Sequence, residues 1–479
     1  MVIAAVTGTA VRVAARPTHD TAGGPRAVRR LSFPARSGSV RSSSPLTPRW
    51  ERIAHMASST VQKLRLSSGI TLLTQPMPDR LTVAVGVWVR SGSRVEDDAR
   101  QGMAHFIEHM MFKGTETRDA RSIAASLEGL GGHLDAWTNH EHVCYEARAL
   151  SEHLPQVVDV LADITCRSRF DAAEIDREKS VVKQEIAACE DDPSDKIHEL
   201  LARQLYGGHG LGRPILGTVE SVDAITRDHL VANFSSRYRA DELVIAASGG
   251  LDPNELRDLV ERHFAAPQGP AVVRDPAPVP HPVSVVHEDR DEQQLYLALG
   301  APTPAYSDPR RYGLRVLNTL LGGLMSSRLF QRIREEAGLA YSVGSGLSFL
   351  SDTGLLSIQM GVAPEQGREA LRLLRNELEK LVAEGPSESE VESAKMYLKG
   401  GVIIGMESVS NRMEHMARQE LYTGRYSPPE EHVAAVQAVT REQVAALAAE
   451  FLRPERFSMG ALGPAPGGLL TVADWPVDA

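Results

Sequence analysis

Residues 102–115, GMAHFIEHMMFKGT, carry the densest pattern in the chain. Met103, Phe106, Ile107, Met110 and Met111 recur at i, i+3, i+4, i+7 and i+8, the buried stripe of a helix, and Gly114 stops it. His105, Glu108, His109 and Phe112 form the neighbouring stripe. At i and i+4 the two imidazoles stand one above the other, close enough to share an ion, and Glu108 points beside them. Neutral imidazole nitrogen is a ligand of Zn²⁺, which in catalytic sites takes three protein ligands and a water. Two histidines leave one ligand to be found.

Working outward, residues 171–190 offer it. They contain neither Pro nor Gly, open with an Asp-x-x-Glu capping pattern at Asp171 and Glu174, and set Glu178 and Glu185 on one helix face. Either carboxylate is able to reach across to the histidines. His-x-x-Glu-His is the inverted form of the zinc-peptidase motif His-Glu-x-x-His, whose Glu is the general base.

The rest of the chain is that of a folded protein with more than one core. At 479 residues it exceeds the roughly 100–200 typical of one domain. It is 42% hydrophobic and 24% charged, the balance of a folded rather than a disordered chain. No apolar run reaches the roughly 18–20 residues of a membrane-spanning helix, so no membrane partner is expected. From residue 61, KLRLSSGITLLTQ reads as two strands about a Ser-Ser-Gly turn, and 81–90 (LTVAVGVWVR) as a third. Further strands are expected at 242–248, 294–300, 354–361 and 457–462, and helices at 364–383 and 387–400. The Pro-rich stretch after Phe264 suits neither a helix nor a central strand and reads as an interdomain linker. On either side, segments of similar length begin with strands, pass through amphipathic helices and close on a short apolar strand, which suggests a duplicated α+β unit.

Residues 1–55 hold nine Arg against Asp20 and Glu51, a surplus of seven positive charges, so the remainder carries −17 of the net −10. An acidic body argues against nucleic acid and permits basic or unstructured peptides as ligands. The Arg-, Ser- and Pro-rich leader is expected to be disordered. A secretory signal and a mitochondrial transit peptide are the alternatives to a plain extension preceding Met56. Across the chain 44 Arg stand against 8 Lys, a bias that suits a GC-rich genome and removes weight from the Arg content of the leader. Cys144, Cys166 and Cys189 lack the spacing of a zinc knuckle or a disulfide framework, as expected of buried fillers in a reducing compartment.

With GMAHFIEHMMFKGT and then EKSVVKQEI at 178–186, the chain resembles the insulinase/pitrilysin family of zinc endopeptidases, in particular the mitochondrial processing peptidase β-subunit branch and short bacterial homologues. Matching text continues through 131–150, 211–222 and 322–343, so the resemblance spans about 61 to 463. It implies an α+β fold of two similar sandwich-type halves in a clam-like chamber. The corresponding domains are a 1–58 extension, a 59–266 zinc-binding half, a 267–282 linker, a 283–465 half of similar fold and a 466–479 tail.

The resemblance makes His105, His109 and Glu185 the ligands of one Zn²⁺, Glu108 the base, and Glu178 a carboxylate beside the metal. Arg334 and Tyr341 match a pair that binds the substrate backbone and stabilises the tetrahedral intermediate. The strand around 134–138 matches a substrate-binding edge; here Asp135-Ala136 replaces the usual Asn-Ala, which removes an amide donor. His133, His140 and His142 read as loop and rim residues. The implied activity is hydrolysis of unfolded or short peptides by Glu-assisted attack of zinc-bound water. The implied partners are a second copy or a related chain, as homodimer or heterodimer, and the implied location is bacterial cytoplasm or, alternatively, the mitochondrial matrix. The competing expectation is a noncatalytic scaffold or partner subunit of such a peptidase. Such relatives lack part of the metal set, and this chain has all of it.

Overall fold

The structure is a computed structural model that describes residues 60–267, 269, 277–279 and 282–466. The expectations for 1–58, most of the linker and 467–479 fall outside the described residues. No helix among the described residues is long and apolar enough to cross a membrane.

The run TVAVGVWV is buried from its second residue to its last, as a strand is when its sheet is covered on both sides. It forms β3 (Thr82–Val89) of a six-stranded sheet with β1 (Gln62–Arg65), β2 (Thr71–Pro76), β4 (His133–Thr138), β5 (Val143–Leu150) and β6 (Leu243–Gly249). The order is β1-β2-β6-β3-β5-β4, antiparallel except for β2 and β6. The second sheet, of β7 (Val285–Glu288), β8 (Leu295–Thr303), β9 (Ala340–Phe349), β10 (Gly354–Val362) and β11 (Ser458–Leu462), runs β7-β11-β8-β10-β9, with β7 and β11 parallel. Matching β2 to β7, β6 to β11, β3 to β8, β5 to β10 and β4 to β9 reproduces both order and direction. The duplicated α+β unit therefore exists as topology, although the residues of the two halves scarcely correspond.

The first half contributes helices α1 (Met103–Met110), α2 (Ala120–Glu128), α3 (Leu154–Cys166), α4 (Ala172–Glu190), α5 (Pro193–Tyr206), α6 (Val219–Asp223), α7 (Arg227–Arg237) and α8 (Pro253–His263). The second contributes α9 (Arg311–Leu321), α10 (Gly367–Glu384), α11 (Glu388–Gly405), α12 (Val409–Thr423), α13 (Pro429–Gln437) and α14 (Arg441–Phe451). Helix α11 runs past the expected end at Gly400 because Ser387 and Glu390 cap it firmly and interior glycine costs only about 1 kcal/mol. At the start of α4 the expected side-chain cap does not form: Asp171 instead faces Arg169 at 3.1 Å, and Glu174 bonds Arg177.

The two halves exchange helices. Val83, Val85, Val87 and Val89 face the core of their own half, whereas Ala84 and Trp88 face outward and are covered by Val409, Met413, Met416 and Ala417 of α12. A Cβ at Gly86 would lie 2.5 Å from the Trp88 ring, so only glycine leaves room for the indole. Helix α5 makes the reciprocal crossing, with Ile197, Leu200 and Leu201 against Ala298, Leu355 and Leu462 of the second sheet. Polar contacts seal the join: Arg94 bonds Glu141 at 2.9 Å and also Asp352, and Glu420 receives Lys63 at 2.7 Å and Arg90 at 3.3 Å.

Because Met413 belongs to one half by sequence and to the other by packing, Met413→Ala should destabilise both together. The expected loss is about 2–5 kcal/mol in a single urea transition. A transition that splits, leaving the first half at its wild-type midpoint, would contradict the exchange.

The same join buries histidines. Burial, reinforced by Arg418 and Arg90, pushes His142 down to about 3; burial with Arg418, His432 and Arg315 pushes His415 to about 4; and burial with Arg311 and Arg315 pushes His432 to about 4. An unfolded histidine titrates near about 6.5, so between that pH and 4 these three histidines bind more protons unfolded than folded. Their share of the stability is lost as pH drops from 6.5 toward 4, against an opposing gain from the raised Glu96 and Glu108 carboxyls, so over that range His415→Gln should lose less stability, or gain more, than the wild type. An equal slope in the two proteins, from urea midpoints across that range, would refute the assignment.

Candidate active site

Helix α1 begins at Gly102, whose φ of +84° suits glycine and whose Cβ would lie 2.4 Å from the Leu216 carbonyl oxygen. Its apolar stripe of Met103, Phe106, Ile107 and Met110 fills the core of the first half. The polar stripe is buried too: His105 is 1% exposed, Glu108 2% and His109 7%. Groups of this kind are tolerated inside a protein only when they find partners. Helix α4 supplies them by crossing α1 with Glu178 and Glu185 on the facing side.

His105 Nε2 lies 3.2 Å from His109 Nε2, and Glu185 Oε2 lies 3.7 Å from the first and 3.4 Å from the second. Ligand atoms at about 2.0–2.1 Å from a tetrahedral Zn²⁺ stand about 3.3–3.4 Å from one another, so the triangle has the dimensions of three zinc ligands. Glu185 Oε2 is buried without a hydrogen-bond partner. Burial, then the nearby His109, holds His105 well below its usual value and therefore neutral, the form that binds metal. These three residues are the group among the described ones whose ligand atoms gather to hold a metal ion.

The surrounding groups fix the geometry. His109 Nδ1 donates to Glu178 Oε1 at 2.8 Å, which leaves the Nε2 lone pair aimed at the other ligands. Lys113 donates to the second oxygen of Glu178 at 2.7 Å. Burial opposes ionisation of Glu178, but the hydrogen bonds from His109 and Lys113 prevail and hold it below the usual carboxylate range. Glu108 accepts a short hydrogen bond from the Thr138 hydroxyl through Oε2. Burial pushes the Glu108 carboxyl up to about 7, with Glu185 and Asp135 adding to the rise and Thr138 and His109 opposing it. A carboxylate poised there can accept and return a proton near neutrality.

Among the described residues strand β4 is the edge of its sheet, paired with β5 alone. Ala136 and Thr138 face inward while Asp135 lies on the opposite side of the strand, with Oδ1 accepting the Ala136 N–H at 3.0 Å. Arg334 and Tyr341 lie together but apart from the triad. The Arg334 guanidinium sits 4.6 Å from the Phe330 ring centre and 5.4 Å from that of Tyr341. Tyr341, at the start of edge strand β9, is 80% exposed. Among the described residues no hydrogen bond, ion pair or ring contact joins either one to His105, Glu108, His109 or Glu185.

His133 is an exposed neighbour of Asp135, His140 Nδ1 lies 3.0 Å from Ser93 Oγ, and His142 Nε2 lies 3.1 Å from Asn139 Nδ2; none joins the ligand group. The three cysteines are free thiols. Thr138 and Lys113 are site residues that the motif alone does not reveal. Lys113 falls one turn beyond His109, and Thr138 shares a strand face with Ala136, so spacing offered a faint signal for each.

Two halves of one topology, with a His-x-x-Glu-His helix and a crossing glutamate in the first, define a duplicated α+β protein whose first half carries a candidate metal site. Residues 71–219 match the family described as Insulinase (Peptidase family M16), and residues 224–398 match the one described as Peptidase M16 inactive domain. The chain belongs to the insulinase family, peptidase family M16. It is 38% identical over 416 residues to a Mycobacterium leprae (strain TN) protein named an uncharacterized zinc protease, covering 85% of this chain and 92% of that one. A Bacillus subtilis (strain 168) protein of the same description is 35% identical over 404 residues, covering 84% and 98%. The fold is also that of a peptidase M16 inactive domain from Pseudomonas fluorescens, with a TM-score of 0.80 at 24% identity over 85% of this chain and 98% of that one. A protease from Helicobacter pylori gives 0.80 at 20% identity over 85% and 100%.

If Glu178 sets the tautomer and aim of His109, then Glu178→Gln should weaken zinc binding by about 10–100-fold without abolishing it. Competition with a metal-sensitive chelator would measure this, and wild-type affinity would show that Glu178 plays no such part.

Proposed function

We propose that the protein is a zinc-dependent metalloendopeptidase acting on unfolded or short peptides. The observation that carries the reading is the convergence of His105, His109 and Glu185 at zinc-ligand spacing with the Glu108 carboxylate held beside them. In this reading those three residues hold one Zn²⁺, which when bound supplies Lewis-acid polarisation of the peptide carbonyl and acidifies water toward a pKa of about 7.

An extended peptide adds to β4 as a further strand, since that edge leaves main-chain groups unpaired. Asp135 and Ala136 line this edge, with the Asp135 carboxylate disfavouring acidic side chains next to it. Glu108 removes a proton from the attacking water through Oε1, because Thr138 occupies Oε2, and then delivers it to the leaving amine. Tyr341 donates to the developing oxyanion and Arg334 binds the peptide backbone. Their distance from any contact with the triad supports a working form in which the halves close on substrate or a second chain, identical or related, completes the cleft. The bacterial relatives support a bacterial cytoplasmic location over the mitochondrial matrix.

A noncatalytic scaffold or partner subunit is the second reading, favoured by the match of residues 224–398 to a domain described as inactive. The two separate cleanly. Under the peptidase reading Glu108→Gln keeps zinc and loses kcat by about 10²–10⁴-fold. His105→Ala and Glu185→Gln lose metal as well, and Tyr341→Phe keeps metal while kcat falls far more than KM rises. Zinc content and digestion of a peptide library, with a mock purification as control, decide the matter: a zinc-loaded wild type with no turnover points to the scaffold.

A further inference from the structure

Of the three polar side chains on α1, two are gripped by neighbours: His109 by Glu178 and Glu108 by Thr138. His105 is not, for its Nδ1 is buried without a hydrogen-bond partner. Its ring is therefore placed by packing and by the backbone that carries it, and that backbone is the first turn of a helix only eight residues long. The first N–H groups of a helix have no partner within it and need one from outside.

The residue at the N-cap cannot provide it. Gly102 has no side chain, and the Leu216 carbonyl oxygen fills the space that a Ser or Asp side chain would need. Both oxygens of Glu96, six residues upstream, do so instead: Oε2 accepts the Gly102 N–H at 2.8 Å and Oε1 accepts the Ala104 N–H at 2.6 Å. Glu96 is only 8% exposed. Its own main chain is fixed in turn, since Arg213 Nη1 donates to the Glu96 carbonyl at 2.6 Å and Ser221 Oγ donates to that of Gln101 at 2.8 Å.

We infer that Glu96 is a positioning residue for the metal centre, a remote cap whose grip on the Gly102 and Ala104 amides sets the place of His105. The inference rests on the zinc-peptidase reading for its consequence, though not for the cap itself. Among the described residues no hydrogen bond or ion pair joins the Glu96 carboxylate to β4, His105, His109 or Glu185, so its grip on the site runs through the helix. A carboxamide keeps one acceptor and turns a donor toward the other N–H, and alanine keeps neither.

The test uses the full chain with three substitutions, Glu96→Gln, Glu96→Ala and, as a control that trims the same core without touching these hydrogen bonds, Ile123→Val. Chelator competition should give zinc affinities falling in the order wild type, Glu96→Gln, Glu96→Ala, with a loss of about tenfold or more for the last. kcat should fall with KM nearly constant. Hydrogen exchange of the metal-free proteins should quicken in residues 103–110 of the Glu96 variants. Unchanged exchange and affinity in both variants would overturn the inference, as would an equal loss of affinity in Ile123→Val at matched melting temperature. Should the wild type bind no zinc, the peptidase reading fails, and exchange in the metal-free proteins still decides whether Glu96 caps the helix.

Discussion

Burying two imidazoles and a carboxylate on one two-turn helix is the constraint around which the first half is arranged. All three are buried, and an unpaired buried polar group is expensive. The hydrogen bond from His109 to Glu178 is the central answer. It requires α4 to cross α1 at a fixed height, and once that crossing is made Glu185, two turns further along, reaches the same point in space. Lys113 neutralises Glu178, and Thr138 ties Glu108 to the edge strand. The crossing of α1 and α4, the edge position of β4 and the metal triangle are thus one solution rather than three features.

The exchange of α5 and α12 has a different origin. Strands β3 and β8 are apolar on both faces, so each sheet needs a cover on the side away from its own helices. Each obtains it from the other half of the chain. A molecule built in this way cannot open by swinging two independent domains on a linker, because Met413 and Leu201 would have to leave their cores. A closure of the halves on substrate, as in the proposed working form, must therefore keep those two contacts.

Much of this was legible in the residues. The apolar run of β3, the period of α1 and the face shared by Glu178 and Glu185 each announce a local structure, but spacing left either glutamate as the third member, and only the family resemblance singled out Glu185, which the structure gathers with His105 and His109. What the residues did not disclose depends on distance along the chain. An amphipathic helix does not say which sheet it covers, so the exchange was invisible. Thr138 meets Glu108 across thirty positions and Glu96 meets Ala104 across eight, each through a single polar contact that has no period. The faint likeness between halves has the same explanation: strand order and direction survive any apolar side chain, so topology repeats where residues do not.

That repetition also locates what the second half lacks. The strand equivalent to β4 is β9, and the face of α9 turned to the core of the second half carries Leu314, Leu317, Leu320 and Leu321 rather than imidazoles. The buried polar groups of that helix are met locally, Arg311 by the Tyr306 carbonyl and the Tyr312 hydroxyl and Thr319 by the Arg315 carbonyl, so they call for no crossing carboxylate. The edge strand of that half opens instead on the exposed Tyr341, with the Arg334 guanidinium 5.4 Å from the ring centre and the Glu335 carboxylate 3.7 Å from that guanidinium. The two edges thus differ in chemistry on one scaffold: β4 carries Asp135 and, through Thr138, adjoins the candidate metal group of α1 and α4, whereas β9 carries an exposed tyrosine beside a guanidinium. On the proposed peptidase reading, an extended peptide held at the first edge needs the second brought to it, because Tyr341 and Arg334 are the groups offered there for the donor and the charge that a developing oxyanion requires.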